Sequence, residues 1–167
     1  MFMDIHNEKF RPGILEEIYS DGFKISKLNP QEKKFALMHK EFFKFPVWAA
    51  IILDIITFRL FSLIFYGIQH GYFPRLKLND PGTGKAIGFM FIPFFNVYWI
   101  FFFWLRLADR INFQLKLRNK EPAVSKVLIA IALACNFVPL LSYISWLVLM
   151  PIVVGFTQYG INQLVKK

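Results

Sequence analysis

The chain carries one cysteine, Cys135, among 167 residues, which excludes an internal disulfide and any cysteine-based zinc site. Cys135 sits in an apolar run, the setting of an inert thiol. Histidine is nearly as scarce: His6, His39 and His70 fall in separate regions without ligand spacing, so no metal site is expected and no cofactor is implied. Acidic residues are outnumbered, 11 against 20 Lys plus Arg, for a net charge of +9. In a soluble protein that balance points to nucleic acid. Here the basic residues are not interleaved with exposed aromatics as single-strand binders require, so nucleic acid is not an expected partner. No serine or cysteine has a visible base in its region, so the reading is non-enzymatic. The first 45 residues hold no long apolar run, so no cleavable signal peptide is expected.

What the chain has in abundance is hydrophobic length. Hydrophobic residues make up 56% of it and 21 residues are Phe. Ala86 to Leu105 contains no charge; as a helix it spans roughly 30 Å, the thickness of a bilayer's hydrocarbon core. Val47 to Ile68 forms a second stretch of that length, interrupted by Asp54 and Arg59. From Ala123 to Leu164 the chain is apolar for too long to be one crossing, and Asn136-Phe137-Val138-Pro139 divides it, because proline is costly inside a helix and disfavours helix at the residue before it. The expected spans are 47–68, 86–105, 123–138 and 141–164. Leu105, Ala108, Ile111 and Leu115 continue the second span's apolar stripe, predicting a helix that protrudes to about Arg118. Counting Lys plus Arg assigns orientation: with both termini cytoplasmic, sixteen lie inside and three outside.

Residues 1–45 read as a cytosolic or interfacial segment. Asn29-Pro30-Gln31-Glu32 has the form of a helix start, with Asn29 as cap, Pro30 at the first position and Glu32 at the third. The helix expected over about 30–45 puts Phe35, Met38, Phe42 and Phe45 on one face, and Lys33, Lys40 and Lys44 on the other. That pattern suits a helix lying in the membrane interface with its cations towards headgroups, and equally one packed on the protein's own cytosolic side.

Polar residues inside the spans are the candidates for function. Asp54 and Arg59 together cost about 5–7 kcal/mol near a span centre, against about 4–8 kcal/mol returned by the surrounding Val, Leu, Ile and Phe. The first span is therefore marginal on its own. Five residues of separation turn the helix about 140° beyond one turn, so the two charges face different ways. Each needs a partner on another span, another subunit or in a water-filled cavity. Asn96 lies at similar depth; Gln158 and Asn162 lie nearer the cytosol. An ion pathway and interhelical polar packing both account for the set. Pro93 frees the carbonyl of Phe89 and predicts a kink, as a hinge or as structure; Pro139 marks the hairpin between the last two spans. Trp48, Trp99 and Trp104 fit an interfacial aromatic belt. Gly82-Thr83-Gly84-Lys85 looks like a phosphate loop but lacks the following Ser or Thr and the first glycine.

Three strings, Asp80-Pro81-Gly82-Thr83-Gly84-Lys85-Ala86-Ile87-Gly88-Phe89, Ile92-Pro93-Phe94-Phe95-Asn96-Val97-Tyr98-Trp99 and Arg106-Leu107-Ala108-Asp109-Arg110-Ile111-Asn112, together resemble a group of uncharacterised bacterial multi-pass membrane proteins. Their signature is a D-P-x-x-x-K-A-I-G-F stretch leading into I-P-F-F-N-x-Y-W and a basic cytosolic helix. The resemblance covers about Pro46 to Asn119 and implies a bacterial inner-membrane setting; it carries no activity or residue role.

The expected fold is all-α, a four-transmembrane-helix bundle with an N-terminal amphipathic interfacial helix. The leading function is a non-enzymatic scaffold or pore-forming unit assembled as a homo-oligomer in lipid, with the N-terminal segment or loop 106–121 offered to a cytosolic protein partner. The alternative is a small channel or transporter lined by Asp54, Arg59 and Asn96, and a lipid-acting enzyme has least support.

Overall fold

A computed structural model describes residues 10–11, 13–20, 22–37, 43–77 and 79–165. All regular structure among them is helical: α1 (Ile14–Glu17), α2 (Pro30–Ala36), α3 (Val47–Ile56), α4 (Leu60–His70), α5 (Thr83–Gly88), α6 (Phe95–Leu117), α7 (Lys126–Cys135) and α8 (Pro139–Leu164), the last containing a π turn at Ser145–Leu149. The all-α class is as expected. One helix, α8, is long and apolar enough to cross a membrane, at 26 residues.

The stretch 47–68 is two helices, not one. Thr57 closes α3, its Oγ1 donating to the carbonyl of Leu53 at 2.6 Å and accepting the amide of Phe61 at 2.9 Å. Phe58 and Arg59 then take positive φ angles of 50° and 67°, a left-handed step costing about 1–2 kcal/mol per non-glycine residue. The chain reverses there. Ser62 Oγ reaches the Asp54 carboxylate, and the Phe45 ring before α3 lies 5.3 Å from Phe65 in α4, which a continuous helix forbids. The physical reason is visible in the charges: folding back gives Asp54 a hydroxyl partner that a straight helix withholds.

The uncharged stretch 86–105 breaks in the same way. Ile92 is extended, Pro93 follows, and Phe94 has φ 61°, so Pro93 ends a helix where a kink was expected. The α5 segment folds against α6, and Trp99 Nε1 donates to the carbonyl of Ala86 at 3.1 Å. The two residues would lie about 20 Å apart on one straight helix. The helix runs on past Leu105, as its apolar stripe predicts, and ends at Leu117. The third hairpin turns at Asn136–Val138 and Pro139 opens α8 at its first position, close to the division made at Pro139. Ser125 caps α7 through the amide of Leu128.

All three turns gather at one end. Arg59 Nη1 donates to Asn136 Oδ1 at 3.1 Å, the Phe58 and Trp146 rings stack at 5.6 Å, and Phe101 stacks on Phe137 at 6.0 Å. Between the arms lies a core of Tyr66, Phe103, Leu107, Ile111, Leu133 and Val154. The described residues of 10–37, 71–82 and 106–125 gather at the other end, with a second core of Phe10, Ile18, Phe23, Ala36, Leu76 and Phe113. The described residues of 10–37 are thus packed into this basic end, not set apart from it. The capping box at Asn29 is formed, with both reciprocal bonds at 2.8 Å. The face that α2 buries is Glu32 and Ala36, while Phe35 is exposed and Lys33 half-buried. This departs from the expected apolar stripe because Glu32 is held by Arg11, and Ala36 lets Gln114 reach its carbonyl at 2.7 Å. Met38, Lys40 and Phe42 lie outside the described residues; Lys44 is exposed.

Candidate functional site

Two polar clusters stand out, one at each end. At the basic end, Asp80 leaves the turn Asp80-Pro81-Gly82 and accepts on Oδ2 from Tyr19 Oη at 2.7 Å and from the amides of Leu76 and Lys77 at 2.9 and 3.0 Å. Arg106 Nε approaches its other oxygen at 3.5 Å. Burial, and next the charge on Asp80, raise the Tyr19 phenol well above its ordinary range, so Tyr19 stays a donor. Arg110, 1% exposed, comes from the C-terminal half of α6. It donates to the carbonyl of Pro81 at 2.9 Å, to that of Phe73 at 2.7 Å and to His70 Nδ1 at 3.1 Å. Arginine only donates, so Nδ1 is the acceptor and His70 Nε2 carries the proton it gives to the carbonyl of Phe103 at 3.1 Å. This is a clamp: both terminal nitrogens of Arg110 are engaged by acceptors from α4 and the 71–82 loop.

At the end carrying the turns lies an apolar cavity of about 390 Å³ lined by Arg59, Ser62, Asn96, Phe103, Trp104 and Phe137, among others. Asp54, 1% exposed, has Ser62 as its partner, not Asn96 as expected. Arg59 reaches Asn136 through Nη1 alone; its Nε and Nη2 are buried without an acceptor among the described residues. Asn96 is exposed at the mouth. Asp54, Arg59 and Asn96 are thus brought to one region.

Gln158 and Asn162 act elsewhere. Both amides donate to the carbonyl of Phe45, at 3.3 and 2.8 Å, and Asn162 Oδ1 accepts the Phe45 amide at 3.2 Å. They satisfy the backbone N–H and C=O of Phe45, which lies outside any helix where the chain approaches α3. Trp99 and Trp104 are buried in the core, not in a belt; Trp48 is exposed. Trp99 is inside because the α5–α6 reversal supplies a carbonyl for its indole.

Sequence reasoning missed Ser62, Asn136, Asp80 and Arg110. Asn136 and Asp80 had a signal, each standing beside a proline-marked turn. Arg110 had none, since it lies among other cations on α6 and its acceptors come from a distant loop. No family model, curated protein or solved structure matches the chain.

Proposed function

We propose that the protein is a non-enzymatic, membrane-embedded scaffold whose three helical hairpins enter the bilayer from one face and hold a basic polar head above it. One observation carries this: Arg110 of the 106–122 segment is bonded to the carbonyls of Phe73 and Pro81. Four alternating spans would put those two connections on opposite sides of the membrane, where they could never meet.

The surface supports the same reading. Phe58, Phe94 and Leu140 at the turns are 78%, 92% and 82% exposed, and so large an apolar patch belongs in lipid or at an interface. Helices α3, α4 and α7, of 10, 11 and 10 residues, are about 15 Å long, half the hydrocarbon core. Arg75 and Lys77, counted as outside in the alternating scheme, join the other cations at the head, which sharpens the positive-inside asymmetry. Ser62 gives Asp54 a partner in the same chain, and Asn136 takes one nitrogen of Arg59. Packed Tyr66, Phe103, Trp104 and Leu107, none more than 4% exposed, separate the polar groups at the turns from Gln158, which favours a scaffold over conduction.

Topology tests it. On a Cys135→Ala background, Asn79→Cys and Glu121→Cys are labelled with a membrane-impermeant maleimide in right-side-out and inverted vesicles. Both positions react from the same face. Reaction from opposite faces restores the alternating bundle and overturns the scheme.

A further inference from the structure

We infer that Arg75 and Lys85 form a headgroup site for an anionic phospholipid, at the point where the α5–α6 hairpin enters the bilayer. The inference deepens the reading above and rests on it, because one-sided insertion puts both cations at headgroup level on the basic face.

The arrangement starts from Gly82. Its backbone, at φ −87° and ψ 176°, is open to any residue, so its missing side chain serves space and not conformation. Arg75 takes that space: a Cβ built on Gly82 would lie 2.0 Å from Arg75 Nη2 and 2.9 Å from its Cζ. The guanidinium is thus laid against the start of α5. The carbonyl of Gly82 accepts the amide of Ala86 at 2.9 Å, so Lys85 stands within the same helical turn. Residues three apart in a helix are neighbours, with about 5–6 Å between Cβ positions. The Lys85 stem covers that gap, which lets its ammonium and the Arg75 guanidinium meet around one anion.

Neither charge is answered inside the protein. Arg75 and Lys85 are both exposed, and neither has a carboxylate partner among the described residues. Asp80, the carboxylate of the same loop, faces inward to Tyr19, two amides and Arg106. Arg106 and Arg110 add positive charge behind that loop. A phosphodiester oxygen pair suits the planar guanidinium, and the ammonium serves as a second point charge.

The surface beside the pair selects a lipid over a free anion. Gly84, Gly88 and Phe91 follow at helical spacing and all are exposed. A Cβ on either glycine would meet nothing within 4 Å. This strip leads from Lys85 towards the apolar turns and gives an acyl chain a bed continuous with the headgroup contact. A free phosphate makes no use of it.

Full-length protein in mild detergent is titrated with dioleoyl phosphatidylglycerol and dioleoyl phosphatidylcholine, and bound lipid is counted by native mass spectrometry. Binding in detergent does not depend on topology, so its outcome is separate from that of the two-cysteine labelling. Phosphatidylglycerol is expected to bind about tenfold more tightly than phosphatidylcholine. Each cation near the headgroups contributes about fivefold towards anionic lipid, so Arg75→Gln combined with Lys85→Gln weakens phosphatidylglycerol by about twentyfold. Gly82→Ala keeps every charge but displaces the flexible end of Arg75, and weakens binding about fivefold with the far-UV circular dichroism unchanged. Lys24→Gln combined with Lys34→Gln removes two other exposed cations of the head and leaves the affinity within about twofold. Equal affinity for the two lipids, an equal loss in the Lys24 and Lys34 variant, or full affinity in Gly82→Ala would each overturn the assignment. Displacement of the lipid by equimolar inorganic phosphate or hexaglutamate also overturns it, and reassigns the pair to a free anion or an acidic protein segment.

Discussion

Replacing Arg110 by methionine removes the clamp between α6 and the 71–82 loop while keeping an unbranched stem of the same length as far as Nε. The carbonyls of Pro81 and Phe73 and the Nδ1 of His70 lose donors at 2.9, 2.7 and 3.1 Å. Stranding three buried acceptors costs about 1–3 kcal/mol each, or about 3–9 kcal/mol together. Part of this is returned, because a buried guanidinium with Nε unpartnered no longer has to be desolvated. A net loss of about 3–5 kcal/mol remains, a large fraction of a typical folding free energy of 5–15 kcal/mol. At about 2–4 °C per kcal/mol for a chain of this size, the thermal midpoint in mild detergent falls by about 6–20 °C, read by near-UV circular dichroism. The hairpin arms stay helical well below that transition, and a cysteine at position 79 becomes faster to label. Arg110→Lys recovers less than half the loss, since one ammonium cannot face acceptors from the loop and from α4 at once. A midpoint within 2 °C of the parent for Arg110→Met refutes the clamp, and with it the strongest support for one-sided insertion.

Three further outcomes follow from the geometry. Ser62→Ala leaves the buried Asp54 carboxylate without its hydroxyl donor and lowers stability by about 1–3 kcal/mol, whereas Ser62→Ala in an Asp54→Leu background is nearly neutral; a double-mutant cycle in urea-titrated detergent reads the coupling, and additivity refutes it. Gly160→Ala puts a Cβ 2.9 Å from Ile111 Cγ2 and 3.3 Å from Val124 and lowers stability by about 1–3 kcal/mol through overpacking, while Gly84→Ala, whose Cβ meets nothing within 4 Å, leaves the midpoint unchanged or higher. Arg11, bonded side-on, holds the Glu32 carboxyl down to about 2 from an ordinary 4.5. The folded pKa is depressed, so this contribution is full above about pH 4.5 and is lost as pH falls towards 2; hydrogen exchange across 11–36 quickens in that window, and Glu32→Gln removes the pH dependence.

Local chemistry was legible wherever neighbours in the chain decide the outcome. Asn29 and Glu32 announce a capping box because the groups that satisfy each other are three residues apart. The apolar stripe beyond Leu105 foretells the C-terminal half of α6, and Pro139 foretells the last hairpin, because it cannot continue a helix. The other two reversals were hidden. Phe58, Arg59 and Phe94 carry no glycine signal, and their left-handed backbones are held by partners far along the chain: Asn136 for Arg59, and the packing of α5 on α6 for Phe94. A stretch of about twenty uncharged residues fits a single crossing and a folded hairpin equally in composition, since both bury it from water.

The sequence alone therefore determined that this chain is helical, basic and rich in long apolar stretches, because those properties are sums over residues. Whether an apolar stretch runs straight or doubles back was decided only by the tertiary structure. That choice depends on where Asp54, Arg59, Trp99 and Arg110 find hydrogen-bond partners, and those partners lie on segments brought close only by the completed fold.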